Sequence, residues 1–286
     1  MVRTFLAILI FISAVSHVYA IQSTIMEAEG YACMGDDKSR KQTEQQSMAD
    51  AKRNAVENVL TYVKSETKVK DFEIESDIMK AYANASVKIL EVKENRWYKD
   101  ERSGDCLKTK IKAEVIPDEK AIKEVVSSKV PFDSPGMPLN VRLWTDKKEF
   151  RKGDKIKIYL QGNKPFYARV HYRDVKGEIV QLLPNPYRTD NYFNGGVIYE
   201  IPSGNDRFEL EVSPPFGDEN ISLYASTSPL GEIGLSGGGA VYQVTTKESD
   251  IGIKTRGIKL KERIEGGQSQ ASEFFEERMM VKTRRQ

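Results

Sequence analysis

The chain has 286 residues, with 44 Lys and Arg against 42 Asp and Glu. Such a balance, with the signs interspersed, argues against nucleic acid as the main partner, because phosphate binding needs a basic excess or a basic face. Two cysteines and two histidines in all exclude multi-histidine and cysteine-rich metal sites, and no cofactor is expected.

Residues 1–20 read as a secretory signal peptide. Arg3 supplies the positive start, residues 5–15 are mostly apolar, and Val18 and Ala20 occupy the −3 and −1 positions of a cleavage site. The run is too short to span a bilayer comfortably, and no later run approaches that length. No cysteine follows Ala20, so a lipid anchor is not indicated. The expected mature chain, residues 21–286, is exported to the periplasm or beyond and is not membrane-spanning. Cleavage also removes His17, leaving His171 as the one histidine.

Residues 25–34 alternate, with Met26, Ala28, Gly30 and Ala32 on one face and Glu27, Glu29, Tyr31 and Cys33 on the other, which predicts a half-buried strand. Ser39-Arg40-Lys41-Gln42 has the spacing of a capping box. A long helix should run on to about Ser65, because Met48, Ala51, Ala55 and Val59 recur every three or four residues among charged ones. A short helix is expected over 72–83 and a strand over 86–99. A hairpin turn follows at Ser103-Gly104-Asp105. In the next strand, 106–116, Leu107, Ile111, Ala113 and Val115 should face inward, and Lys108, Lys110, Lys112 and Glu114 outward. Pro117 opens a closing helix. Residues 21–126 thus read as an antiparallel sheet covered by a long helix.

Cys33 ends the first of these strands and Cys106 begins the last, each on an outward face. If the two strands are antiparallel neighbours, the thiols meet. In an oxidising compartment a disulfide is the default for such a pair, and closing so long a loop stabilises by about 4 kcal/mol. The alternatives are a metal site, which lacks a nearby histidine, and a C-x-x-C redox pair, for which the cysteines are too far apart.

The stretch AEGYACMGDDKSRKQTEQQSMADAKRNAVENVLTYVKSET resembles the opening of exported bacterial domains related to the N-terminal domain of flagellar assembly protein T and to the lipoprotein-20 family. The shared features are a strand ending in a small-residue Gly segment and a helix with alanines four apart, here Ala51 and Ala55. The likeness covers about residues 25–125.

Residues 127–138, with three prolines and a glycine, read as a linker. Beyond it the period is two throughout. Short strands are expected over 139–145, 156–160, 168–173, 179–183, 197–201, 208–212 and 221–225, with a last one over 241–245. That pattern predicts an antiparallel β-sandwich over 139–248, so the whole chain is α+β. Residues 234–239, GLSGGG, lack the Gly-Lys-Ser/Thr ending of a phosphate loop and read as a flexible turn. In the tail, 249–286, residues 272–280 should form a short helix docked through Phe274 and Phe275.

Leu182-Leu183-Pro184-Asn185, Asp190-Asn191, Gly195-Gly196, Ile201-Pro202 and Pro215-Phe216-Gly217 together resemble an uncharacterised C-terminal domain of exported bacterial envelope proteins. The likeness spans about residues 139–228. That family is sometimes attached to kinase or caspase-like peptidase domains and carries no established activity, so the resemblance implies fold and compartment only.

Catalysis finds little support. His171 should be a surface strand residue, its charged form disfavoured by Arg169 and Arg173 beside it. Residues 184–196 form a long polar loop in which Asn185, Tyr187, Arg188, Asp190, Asn191 and Tyr192 could together contact a sugar or a peptide end. Asn, Asp, Gly and Pro are also what long turns require on their own account. The expected protein is a non-enzymatic binding or assembly module for other envelope proteins or cell-wall components. The alternative is a secreted hydrolase using acidic residues such as Asp190, for instance on glycans.

Overall fold

The computed structural model of the chain describes residues 19–67, 72–128, 131–237, 241–257 and 271–285. Most of the expected signal segment, residues 1–18, lies outside them. The first half holds β1 (Tyr19–Cys33), α1 (Arg40–Glu66), α2 (Phe72–Ala83), β2 (Ser86–Asp100), β3 (Gly104–Ile116) and α3 (Glu119–Ser128). Then come β4 (Val141–Thr145), β5 (Glu149–Arg151), β6 (Ile158–Gly162), β7 (Phe166–Arg173), β8 (Ile179–Leu183), β9 (Tyr192–Phe193) and β10 (Ile198–Ile201). The chain continues through β11 (Asp218–Ser226), β12 (Leu235–Gly237), β13 (Tyr242–Val244), α4 (Glu248–Thr255) and β14 (Ser272–Arg284). The fold is α+β. One large sheet runs β12-β13-β8-β7-β11-β14-β1-β3-β2, with β5 beside β14 and β9 beside β7, and a second sheet runs β10-β6-β4.

The alternation in β1 and β3 sets up the first core. Met26 and Ala28 meet Ile111, Ala113 and Val115, and the stripe Ala51, Ala55, Val59 of α1 is buried in the same cluster. α1 starts at a reciprocal capping box: Ser39 Oγ accepts from the Gln42 amide, and Gln42 Oε1 accepts from the Ser39 amide. β1 and β3 are antiparallel neighbours with Cys33 opposite Cys106, and the two sulfurs are bonded. The outer edge of β2, which pairs with no further strand among the described residues, carries alternating charges and two register shifts, at Ile89/Glu91 and Val92/Glu94. Bulges and charges of this kind discourage edge-to-edge pairing.

Several expectations are corrected. Cys106, Lys112 and Glu114, read as outward-facing, are buried. Glu114 is covered by Arg256, which follows α4 and hydrogen-bonds its carboxylate. Residues 208–212 form no strand; an isolated bridge, Lys155 to Glu211, and backbone hydrogen bonds between Leu210 and Val212 and residues 153–156 hold them. Leu235–Gly237, expected as part of a turn, pair as β12 with β13, while Gly238 and Gly239 lie outside the described residues.

The largest correction concerns the tail. Residues 272–284 are not a helix but β14, a strand between β1 and β11 in the middle of the large sheet. Its neighbouring doublets serve opposite faces. Phe275, Met279 and Val281 enter the second core, where Leu143, Ile158 and Leu160 of the small sheet face Val170 and Leu223 of the large one. Phe274 joins Ile25, Tyr224 and Ile251 of α4 on the other side. Glu273 then reaches across the molecule, accepting from Tyr62 Oη of α1 at 3.2 Å and from Lys164 Nζ at 3.0 Å. One sheet therefore runs through both halves of the chain. Residues 131–138, expected as linker, are tied down as well: Met137 is buried in the first core, and Asn163 Nδ2 donates to the carbonyls of Ser134, Met137 and Pro138.

Candidate functional site

The polar loop leaves β8 through a cis bond at Leu183-Pro184, and a second cis bond, Ile201-Pro202, ends the β10 strand that follows it. Asn185, predicted as a contact residue, is buried. Its Nδ2 donates to the Leu182 carbonyl at 2.7 Å, and its Oδ1 accepts from the amides of Tyr187 and Arg188, each at 2.8 Å. This is the turn chemistry that asparagine performs where a strand must reverse. Arg188 Nη1 lies 3.0 Å from Asp206 Oδ2, with its guanidinium 5.6 Å from the Phe193 ring centroid. Asp206 Oδ2 also accepts from the Ser203 amide, so this pair fastens the loop to the following segment.

The second turn is built the same way. Asp190 Oδ1 accepts from the Tyr192 amide at 3.1 Å. Asn191 Nδ2 donates to the Ala168 carbonyl at 3.1 Å, and its own carbonyl accepts from the Ala168 amide at 2.8 Å. These bonds hold β9 against β7, so that Phe193 stacks on Phe166 in the core while Tyr192 lies against Tyr167 on the opposite face. Gly195 sits so close to Lys164 that a Cβ there would fall 2.5 Å from its Cα.

The six predicted residues thus separate into two classes. Asn185, Arg188, Asp190 and Asn191 spend polar atoms on the loop's own architecture. Tyr187 and Tyr192 remain 51% and 45% exposed. Each rests on a second aromatic ring: Tyr187 on Phe208 at 6.2 Å and Tyr192 on Tyr167 at 5.1 Å between centroids. Tyr167, Phe208 and Asp206 were not singled out from the sequence. Only Tyr167 had a usable signal, since the parity of β7 places it on the face away from the core. Asp190, on which acid catalysis would have rested, has one oxygen committed to its own turn.

His171 is not a surface residue. It is 2% exposed on the large sheet, its ring 5.4 Å from that of Tyr224. Burial, reinforced by the Arg169 charge, pushes its pKa down to about 3. Arg169 is buried beside it and donates to the Gly231 carbonyl at 3.0 Å and to Thr255 Oγ1 at 3.2 Å. A neutral, enclosed imidazole of this kind has no access to a substrate.

Two cavities flank the start of β1. A mainly apolar one of about 340 Å³ is lined by Ala20, Ile21, Ile116, Pro117, Ile122 and Phe275, with Glu119 and Lys123 among its polar residues. A polar one of about 430 Å³ lies among Lys88, Glu248, Arg256, Glu276 and Arg278, and Ile21 lines it too. Nearby, burial pushes the Glu277 carboxyl up to about 7, opposed by a hydrogen bond from the Leu143 amide. Among the described residues there is no group of three His, Cys, Asp or Glu that could hold a metal ion, and no helix is long and apolar enough to cross a membrane.

Residues 149–229 match the family described as Domain of unknown function (DUF4384). The match falls within the second half, where the sequence resembles an uncharacterised envelope-protein domain. None of the comparisons supports the likeness of residues 25–125 to flagellar assembly protein T or the lipoprotein-20 family. No curated protein and no solved structure matches the chain.

Proposed function

We propose that this protein is an exported, non-enzymatic envelope component that binds another envelope protein or a cell-wall component through the loop over residues 184–196. The observation that carries the reading is the pair Tyr187 and Tyr192, about half exposed on a loop in which Asn185, Arg188, Asp190 and Asn191 are held by hydrogen bonds. Tyrosines on a rigid loop offer large amphipathic contact area at a low cost in side-chain entropy. Binding residues concentrate on loops positioned by a rigid scaffold. Export is supported by the sequence of residues 1–20 and by the Cys33–Cys106 disulfide, which suits an oxidising compartment.

Photo-crosslinking side chains placed at 187 and 192 in intact cells test the reading, with Ile253, 40% exposed on α4, as the control position. A defined partner should be captured from 187 or 192 and not from 253. Tyr187→Ala with Tyr192→Ala should abolish co-purification of that partner while leaving the melting temperature within a degree or two. Equal capture at all three positions would overturn the proposal.

A further inference from the structure

We propose that removal of residues 1–20 creates an ion pair between the new α-ammonium of Ile21 and the carboxylate of Glu277. The inference rests on the reading of an exported chain cut after Ala20. β1 begins before that cut, at Tyr19, and pairs Ala20 with Glu277 and Ile21 with Glu276 of β14. The new amine is therefore placed opposite the Glu276–Glu277 peptide. Neighbouring strands lie about 4.8 Å apart, a span that a glutamate side chain covers.

Of the two carboxylates at this register, Glu276 is already engaged by Arg256 Nη2 at 2.9 Å and Arg278 Nη2 at 3.2 Å. Glu277 projects to the other face, on the side of Phe275 and Met279, and there it receives a hydrogen bond from the Leu143 amide. Ala20 packs against the same core cluster, so its departure clears space beside Glu277 as the positive charge arrives. An α-amino group has a reference pKa of about 7.7–8.0 and is mostly protonated at pH 7. A positive charge within ~4–6 Å favours the ionised carboxylate. Processing would then replace a poorly compensated acid by a pair that fastens the new end of β1 to β14.

A double-mutant cycle tests this directly. The chain beginning at Ile21 is prepared with its α-amine free and with it acetylated, each with and without Glu277→Gln, and the unfolding equilibrium is measured in urea at pH 7. Glu277→Gln should raise the unfolding constant about tenfold more in the free-amine chain than in the acetylated one, the equivalent of about one pKa unit of coupling. An equal effect in both backgrounds would overturn the ion pair. Separately, N-terminal sequencing of the protein exported by cells should begin at Ile21. A different first residue would sink the cleavage reading and the natural occurrence of the pair, whatever the cycle shows.

Discussion

Gly30 of β1 lies so close to Ala51 of α1 that a Cβ on the glycine would fall 2.2 Å from the Ala51 nitrogen and 2.3 Å from the Ser47 carbonyl oxygen. Both are backbone atoms and neither can turn aside. Ser47 Oγ also donates to the Gly30 carbonyl at 3.1 Å, clamping helix to strand. Gly30→Ala should force the helix off the sheet and cost about 3 kcal/mol, at the upper end of overpacking effects. The urea midpoint should fall with no change in slope. A midpoint within error of the parent would refute so tight a contact.

Arg256 provides a second test. It sits over the Phe274 ring at 4.4 Å and holds two carboxylates, Glu114 and Glu276, of which Glu114 is 1% exposed. Ser23 Oγ donates to the same Glu114 oxygen at 2.7 Å. Arg256→Met leaves Glu114 buried without its cation and Glu276 with Arg278 alone, and should cost about 3–5 kcal/mol. Adding Glu114→Gln and Glu276→Gln should recover most of the loss. Thermal unfolding of the three chains decides the matter, and failure of the triple variant to improve on the single one would count against a charge-based cost.

Cys33→Ala with Cys106→Ala should destabilise by about 4 kcal/mol, since the bond closes a loop spanning 73 residues of sequence. Reduction of the parent should produce a similar loss, and dithiothreitol should leave the double variant unaffected. Urea titrations with and without reductant measure both.

The buried His171 makes stability depend on pH. Its pKa in the fold, about 3, is below the ordinary value of 6.5, so the unfolded chain binds a proton that the folded chain refuses. The neutral imidazole costs nothing above pH 6.5; stability falls progressively as the pH drops from 6.5 towards 3, by a few kcal/mol in all. His171→Phe should flatten the slope of melting temperature against pH between 6.5 and 4. An unchanged slope would show that His171 is not the titrating group.

The sequence revealed what depends on local period and little of what depends on distant partners. Alternation in β1 and β3, the alanine stripe of α1 and the box at Ser39 identified their elements, and strand parity brought Cys33 and Cys106 together. The six loop residues were also legible as a cluster, but not their division of labour, because Asn185 and Tyr187 look alike until the turn geometry assigns one to the backbone and the other to solvent. β14 escaped because its first half, residues 272–276, is covered on both faces, while Met280 puts an apolar side chain on the exposed face of the second half. Phe274-Phe275 and Met279-Met280 each send side chains to opposite faces, which erases a period of two. The acids Glu273 and Glu276 look solvent-facing until Lys164, Tyr62 and Arg256 arrive from far along the chain. His171 was misread for the same reason: Arg169 beside it signals a surface, yet its hydrogen-bond acceptors lie at Gly231 and Thr255.

The central place of β14 sets the order in which the molecule can be completed. Until residues 272–284 are delivered, β1 and β11 each face a gap, and the two halves of the large sheet share no hydrogen-bonded strand. A chain that emerges amino end first therefore spends nearly its whole passage as two open-edged fragments, and closes only when the final strand slides between them. Such late, long-range closure is slow and leaves strand edges exposed meanwhile. If the chain is exported as proposed above, delaying closure to β14 would keep it threadable through a membrane.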